Sequence, residues 1–460
     1  MRELFTPFRG GVGGIGARFG SNRGGGFSPS TLFAGGEQGA WYDPSDMSTL
    51  WQDSAGTTPV TASGQPVGLM LDKSGRGNHA TQATAASRPT KAVGPLGGVR
   101  NLAVGSADVN NSSRWAASIT QSGITATRIA QGTDVDGLPY ADVRYAGVAT
   151  ATFQGNAYSN ASSRTPASIG SVFTTSCYVQ RIAGTVSGVS GILVAVNEEN
   201  STPAYLTESD SVPTTSPTET LISVTRTCNQ ATVANAKAGV TLTFVNGATI
   251  DVTFRIKGLQ FEAGPVRTAF QTNVSAFDVT EAGVQTLHYL AFDGVDDFMV
   301  TGTITPGVDK VQVFAGVRKL SDAARGMIVE ANGASGIFGL EAPTGASPSI
   351  SFDSKGTVGV FAIASTGFAS PVSIVLTGLG EISTYTAILR ANGAQVAQNV
   401  TDQGTGNYGP NAIFIGRRAG TSLPFNGNIY GLTIRFGANL SAGQIAQAET
   451  YMAAKTGVTL

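Results

Sequence analysis

Two separated stretches of this sequence read as the two halves of a single β-sandwich. The first covers residues 40–91, and the second resumes near Leu287 and runs to the C-terminus. Another strand-rich region lies between them. A folded domain can be inserted in this way at small cost, because loop-closure entropy grows slowly with length and the ends of a sandwich usually lie close together. The sequence therefore predicts one domain inserted into another.

Short strand-like runs separated by turn residues make up most of the chain. Residues 250–256 keep the period of two that places one side of a strand in a core. The 60 glycines supply tight turns. A helical period appears only near the end, where Ser441 can cap a helix that Gly457 ends. Its apolar stripe would comprise Ile445, Ala448, Tyr451 and Met452. An all-β chain with a short C-terminal helix is expected.

The first 36 residues differ from the rest of the chain. Nine glycines fall between Gly10 and Gly26 without any hydrophobic period. Such a segment cannot bury enough apolar surface to offset its chain entropy. We expect a flexible arm that docks onto a partner. Its candidate docking residues are Phe5, Phe8, Arg9, Arg18, Phe19 and Arg23.

Composition excludes some classes of partner. The net charge of −1 argues against nucleic acid, because phosphate binding needs a cationic surface. No stretch approaches the roughly 20 apolar residues of a membrane span, and the N-terminus lacks the apolar run of a secretory signal. Synthesis in the cytoplasm is expected.

Cys177 and Cys228 are expected to be buried free thiols, with a single disulfide as the alternative.

Four aromatic residues are candidates for stacking on a sugar ring. Neighbouring strand residues point to opposite sides of a sheet, so one of two adjacent aromatics can be exposed. The alternative is that each ring belongs to a core, where aromatic residues dominate β-sandwiches. The candidates are Trp41, Tyr42, Trp51 and Trp115.

A turn rich in aspartate suggests a structural Ca²⁺ site. Carboxylate and amide oxygens are the ligands that Ca²⁺ prefers. The candidate ligands are Asp72, Asn78, Asp293, Asp296 and Asp297. The alternative, which we favour, is that residues 293–297 form a tight hairpin between strands at 289–292 and 298–301. No other cofactor is expected.

Catalytic motifs are absent from the sequence. His79 and His288 are the only histidines, and neither a zinc-protease motif nor a nucleophile elbow is present. A glycosidase needs two carboxylates that face each other. The adjacent pairs Glu198-Glu199 and Asp296-Asp297 would point apart on a strand. We therefore expect a protein that is not an enzyme.

These stretches resemble parts of bacteriophage virion proteins. Residues 41–90 resemble the opening of a concanavalin A-like, laminin G-like jelly roll, residues 292–297 its next strand pair, and residues 383–460 its close. The ends of the middle region, at 100–102 and 256–270, are similar to carbohydrate-binding-module-like jelly rolls of phage tail and fibre proteins.

The resemblance implies three parts: a virion-docking arm at 1–36, a discontinuous laminin G-like jelly roll at 37–95 plus 280–460, and an inserted carbohydrate-binding-module-like sandwich at 96–279. It implies a non-enzymatic fibre or spike in the virion that attaches to host-surface polysaccharide and contacts other virion proteins. A homo-oligomer is expected, with a trimer favoured.

Two alternatives to attachment remain. One is a purely structural head-fibre, decoration or tail-tip subunit, and the other is an endoglycanase or depolymerase. Attachment predicts an exposed aromatic patch with polar neighbours. The structural alternative predicts that the aromatics are buried, and hydrolysis predicts two carboxylates across a groove.

Overall fold

A computed structural model of the chain describes residues 26–111, 114–115, 123–151, 153–158 and 163–460, with 153–158 described by backbone alone. The regular secondary structure of the described residues is nearly all β-strand, and the four sheets pair into two sandwiches. The all-β prediction is confirmed. The six residues predicted for the docking arm, Phe5, Phe8, Arg9, Arg18, Phe19 and Arg23, lie outside the described residues.

The first part of the chain contains β1 (Gln38–Tyr42), β2 (Leu50–Trp51), β3 (Leu69–Met70), β4 (Ala80–Thr81) and β5 (Thr90–Pro95), with 3₁₀ helices at Pro29–Phe33, Met47–Thr49 and Ala85–Ser87. The middle part contains β6 (Ile124–Thr133), β7 (Pro139–Val148), β8 (Phe153–Tyr158), β9 (Thr165–Pro166), β10 (Val172–Gly184), β11 (Val189–Glu199), β12 (Tyr205–Asp210), β13 (Thr220–Thr227), β14 (Asn235–Phe244) and β15 (Thr249–Ala263). The last part contains β16 (Gln271–Ser275), β17 (Asp278–Glu281), β18 (Thr286–Asp293), β19 (Met299–Ile304), β20 (Lys310–Lys319), β21 (Met327–Asn332), β22 (Ile337–Glu341), β23 (Ile350–Lys355), β24 (Gly359–Ala364), β25 (Val372–Glu381), β26 (Thr386–Ala391), β27 (Ala394–Asn399), β28 (Asn411–Ile415), β29 (Asn426–Phe436) and α1 (Ala442–Thr456).

Strands from both ends of the chain build the outer sandwich, which comprises β1–β5 and β16–β29. Its ten-stranded sheet has the order β16-β17-β5-β18-β29-β20-β25-β26-β27, with β1 beside β29. Its nine-stranded sheet has the order β2-β3-β4-β19-β28-β21-β22-β23-β24. Apolar residues from both sheets, such as Val313 and Leu340, form the core between them.

The inserted sandwich comprises β6–β15. One sheet has the order β13-β10-β15-β7-β6, and the other has the order β12-β11-β14-β8 with β9 beside β14. Its core contains Tyr145, Leu242 and Phe254. Cys177 lies in β10 and Cys228 directly follows β13; both thiols are free and buried, as expected, and burial raises the pKa of each.

The chain returns to the outer sandwich earlier than predicted. β16 and β17 belong to the ten-stranded sheet, where β17 pairs with β5. The predicted boundary at residue 279 therefore falls inside β17, and the strands of the inserted sandwich end at Ala263. The last strand before the insertion, β5, lies beside β17, the second strand after it, and a sequence pattern does not encode this pairing.

The aspartate-rich turn at 293–297 is not a hairpin. β18 pairs with β5 and β29 in the ten-stranded sheet, whereas β19 pairs with β4 and β28 in the nine-stranded sheet. The turn therefore crosses from one sheet to the other. The hairpin prediction, which we favoured, is wrong. The two flanking strands do not pair with each other, because each carries apolar residues that face the same core from a different sheet.

The last part of the predicted arm is ordered. Leu32 and Phe33 are buried in an apolar cluster with α1 and the outside of the ten-stranded sheet. Arg435 Nε donates a hydrogen bond to the Leu32 carbonyl at 2.7 Å, and Arg76 donates to the Phe33 carbonyl. Leu32 and Phe33 supply the buried apolar surface that the preceding glycine-rich sequence lacks.

The C-terminal helix matches its prediction. Ser441 forms a capping box with Gln444, and Gly457 ends α1 in the left-handed conformation with φ of 71°. Ala448 and Met452 are buried against Phe314 and the outside of the ten-stranded sheet. No helix in the described part of the chain is long and apolar enough to cross a membrane.

Candidate functional site

Three of the four aromatic residues predicted to stack on sugars are buried. Trp41, Tyr42 and Trp115 are 8%, 1% and 1% exposed. Trp115 belongs to the core of the inserted sandwich. None of these three rings presents a face to solvent, so the core alternative holds for them.

The local fold explains the burial of both neighbours in β1. Trp41 points outward, but α1 covers it, with the Tyr451 ring 6.1 Å away and Lys73 Nζ 4.7 Å from its ring centre. Tyr42 points into the core and donates a hydrogen bond to the Asn78 carbonyl. Burial raises the pKa of Tyr42. The alternation of side chains along a strand predicted that one of these two rings would be exposed, but α1 covers the outer side of the sheet.

Trp51 keeps partial exposure. It lies on β2, the edge strand of the nine-stranded sheet, and pairs with Leu69 on β3. Of the four predicted aromatic residues it is therefore the one that a ligand can reach.

The predicted Ca²⁺ ligands fall into two separate groups. Asp72 accepts hydrogen bonds from the backbone nitrogens of Trp41, Ser74 and Asn78 at 2.8–3.0 Å. Asn78 donates to the Gly39 carbonyl at 2.7 Å. Asp72 and Asn78 therefore fasten the loop after β3 to β1. Asp72 is not among the carboxylates that converge at the 293–297 turn, and both of its oxygens accept local hydrogen bonds.

The other three aspartates do converge. Carboxylate oxygens of Asp293, Asp296 and Asp297 lie within 4.8 Å of one another. One oxygen of each accepts an internal hydrogen bond, from Val295 N, Ser87 Oγ and Asp293 N respectively. Burial, with the neighbouring carboxylates, raises the pKa of Asp297 to about 7. Three remaining oxygens are about half of what Ca²⁺ takes, and water would have to supply the others.

A pocket of about 400 Å³ lies where the chain leaves for the inserted sandwich. We call it the junction pocket. Its floor is the outer side of the ten-stranded sheet, and its walls are residues 94–99 and the end of α1 at Gly457. The lining residues used below are Leu96, Leu287, Tyr289, Arg318, Ser373, Asn428 and Tyr430.

Strand register brings the polar residues of the junction pocket into one row. Arg318 on β20 pairs with Ser373 on β25 and with Asn428 on β29. Paired residues of adjacent antiparallel strands share one side of the sheet, about 5 Å apart. An arginine between a serine and an asparagine therefore faces the pocket.

Two tyrosines complete the floor of the junction pocket. The rings of Tyr289 and Tyr430 lie 5.1 Å apart at 52° on the adjacent strands β18 and β29. Burial raises the pKa of both, that of Tyr289 to about 12, so both stay protonated at neutral pH. Both side chains are buried, 9% and 4% exposed, so they form the base of the pocket rather than an exposed aromatic patch, and the Tyr430 hydroxyl is hydrogen-bonded with Asn428.

A second pocket, of about 270 Å³, lies on the nine-stranded sheet. We call it the carboxylate groove. Glu330 on β21 pairs with Gly339 on β22, which pairs with Asp353 on β23, which pairs with Phe361 on β24. Gly339 has no side chain, so a slot separates the two acidic residues.

The acidic residues of the carboxylate groove have unusual surroundings. Burial raises the pKa of Glu330, and burial together with the Glu341 carboxylate raises that of Asp353. Glu341 forms a double hydrogen bond with Arg325. Perturbed carboxyl groups in a cleft are a mark of functional sites.

Neither pocket was anticipated from the sequence. Their residues come from strands far apart in the chain, so only the sheet register joins them. One signal was available: Arg318 occupies an outward position near the end of β20, beside Val317, which faces the core.

The sequence matches no protein-family model and no curated protein. Among solved structures, similarity was found to the Ruminococcus gnavus IT-sialidase CBM40 bound to α2,3-sialyllactose, with 16% identity, 30% of this chain and 82% of that chain covered, and a TM-score of 0.26. The botulinum neurotoxin serotype G binding domain gives 11% identity, 38% and 44% coverage, and a TM-score of 0.30. TM-scores of this size are too low to indicate a shared ligand or activity.

Proposed function

We propose that this chain is a non-enzymatic phage attachment protein, a fibre or spike that binds host-surface glycans through the junction pocket. The observation that carries the glycan-binding step is the pocket itself. Its base is formed by two buried tyrosines, and a row of hydrogen-bonding side chains, Ser373, Arg318 and Asn428, crosses it. Ligand sites for small molecules typically join apolar walls to a few convergent polar groups.

The junction pocket suits a sugar better than a flat apolar ligand. Leu96 lies in its wall, and Leu287 lies on its floor together with the polar row. Sugars present an apolar ring face and a rim of hydroxyl groups, so they need both kinds of contact. Single sugar sites bind weakly, and several copies on one particle would raise the avidity. The proposed trimer supplies such copies, and the N-terminal arm would dock it to the virion.

The test is binding of the purified chain to host cells and to extracted surface polysaccharide. Ser373→Trp is the informative variant, because Ser373 is half-buried in the pocket floor and a large ring there would fill the pocket. We expect this variant to lose saturable binding. Ser190→Trp, at an exposed strand serine of the inserted sandwich, is the matched control and should bind normally.

Absence of binding by the folded wild-type chain would reject attachment. It would favour the purely structural alternative, which already accounts for the burial of Trp41, Tyr42 and Trp115.

A second candidate function is glycoside hydrolysis in the carboxylate groove. Glu330 and Asp353 lie two strands apart on one side of the sheet, a backbone separation of roughly 9–10 Å. The two carboxyl groups of inverting glycosidases lie about 6.5–9.5 Å apart, a separation that side chains projecting from such backbone positions can reach. The raised pKa of Glu330 and Asp353 suits a general acid.

Release of reducing ends from the bound polysaccharide tests this candidate. Hydrolysis requires that wild type release them and that both Glu330→Gln and Asp353→Asn abolish the release while leaving binding intact. If the wild-type chain releases no reducing ends under conditions where it binds the polysaccharide, glycoside hydrolysis is excluded.

A further inference from the structure

We infer that the junction pocket recognises an acidic sugar, with the carboxylate of the sugar held by Arg318. This inference rests on the proposed glycan-binding function and names the substrate class. It follows from the charge distribution of the pocket and the geometry of its floor.

Arg318 has no counter-charge of its own. Its guanidinium forms no hydrogen bond or ion pair with any residue that the structure describes, and its charge acts on the neighbouring Tyr289 and Tyr430, whose pKa values it lowers against the effect of burial. Some of the other buried or half-buried arginines pair with carboxylates, and others, such as Arg76 and Arg181, donate to backbone carbonyls. Arg435 lies 2.8 Å from Glu37, and Arg390 lies 2.7 Å from Glu449. A half-buried cation without a counter-charge gains most from a ligand that brings one.

The lining of the junction pocket contains no acidic residue, and Arg318 is its one charged residue among those described. The C-terminal end of α1, at Thr456 and Gly457, also borders the pocket. A helix C-terminus carries only about half a negative charge, spread over carbonyls that satisfy hydroxyl donors. The full positive charge of Arg318 therefore sets the sign of the site.

The neighbours of Arg318 match the rest of an acidic sugar. Asn428 and Ser373 flank the guanidinium on either side in the strand register, where they can bond to ring hydroxyls. Leu96 and Leu287 supply apolar contact for the ring. A carboxylate is planar and fits the two parallel N–H groups of a guanidinium. One arginine balances the single charge of a carboxylate but not a doubly charged phosphate.

The experiment compares acidic glycans with their neutral counterparts. Oligosaccharides of glucuronic, galacturonic, mannuronic and sialic acid would be immobilised beside the same oligosaccharides with the carboxyl group reduced to an alcohol. We expect wild type to bind at least one acidic member at least 10-fold more tightly than its reduced form. Sulfated neutral oligosaccharides form a third arm, and equal binding there would show a general anion site rather than a carboxylate site.

Variants assign the preference to Arg318. Arg318→Ala should lose about 10- to 100-fold in affinity for the acidic glycan and should bind both forms equally. Arg318→Lys should keep part of the preference, because lysine retains the positive charge but lacks the two parallel N–H groups of the guanidinium. Removing Arg318 breaks no internal bond, so both variants should fold. Arg144→Ala, which breaks an exposed pair with Asp251 on the inserted sandwich, is the control.

The outcomes separate the two proposals. Equal binding to acidic and reduced forms that Ser373→Trp abolishes would overturn the acidic class and leave the attachment function standing. Binding to neither form of any pair, by a folded chain, would overturn both. A preference that Arg318→Ala leaves unchanged would overturn the role of Arg318.

Discussion

Asn101 and Gln271 are hydrogen-bonded to each other at the point where the chain enters and leaves the inserted sandwich. The Asn101 backbone donates to Gln271 Oε1 at 3.1 Å, and Asn101 Nδ2 donates to the Gln271 carbonyl at 2.9 Å. Gln271 Nε2 also donates to the Gly98 carbonyl at 3.0 Å and to Glu281 at 2.9 Å. The wall of the junction pocket is thereby fixed to the joint between the sandwiches.

We expect Asn101→Ala to lower the free energy of unfolding of the inserted sandwich by about 2–4 kcal/mol, because several buried polar groups would lose their partners. Asn101 is fully buried, and its Oδ1 also accepts from Ala103 N and Phe261 N. Urea denaturation followed by tryptophan fluorescence measures the change when Trp41 and Trp51 of the outer sandwich are replaced by Phe in both proteins, which leaves Trp115 as the reporter. Asn246→Ala, at an exposed turn, should cost under about 0.5 kcal/mol. Equal effects of the two variants would contradict the importance of the joint.

Stability should fall as pH rises from about 4 to 7 because of Asp297. Its pKa in the folded chain is raised to about 7, so the folded state binds more protons than the unfolded state in this window. Ionisation at higher pH then destabilises the fold. Asp297→Asn should flatten this part of the profile. Melting temperatures of both proteins at pH 4–8 provide the measurement, and parallel profiles would refute the assignment.

Ca²⁺ should stabilise the chain if the three aspartates bind it. The expected increase in melting temperature is present at pH 8, where Asp297 is ionised, and much smaller at pH 5. Asp297→Asn should reduce the increase at pH 8. Mg²⁺ at the same concentration is the ionic control, because its demand for a small octahedral site suits these turn carboxylates poorly. Equal stabilisation by both ions would point to screening instead.

Deleting residues 1–36 should destabilise the outer sandwich more than deleting residues 1–25. The longer deletion removes Leu32 and Phe33 from the cluster beneath α1 and leaves Arg435 without the Leu32 carbonyl. Burial of two large apolar side chains is worth about 3–6 kcal/mol. Thermal unfolding of the two truncated chains tests this, and equal melting temperatures would show that the segment contributes nothing. Binding assays therefore call for the shorter deletion.

The strands and the terminal helix were predictable because they rest on local patterns. The period of two at 250–256 predicted part of β15, and Ser441 with Gly457 bounded α1. Exposure of the aromatics was not predictable, because α1 covers the side of the sheet on which Trp41 lies. The turn at 293–297 has hairpin composition, yet its strands join different sheets. The junction pocket depends on register between β18, β20, β25 and β29, which no local pattern reveals.

The close approach of Asn101 and Gln271 has a consequence for how such a chain diversifies. The chain between Asn101 and Gln271 leaves the outer sandwich and returns to it at almost the same point. The strands β5 and β17, which lie before and after this segment, pair with each other. Replacement of the intervening segment by another module with adjacent ends would leave the ten-stranded sheet unchanged. Recombination could therefore exchange the inserted sandwich for another domain while the outer sandwich keeps its sequence and fold.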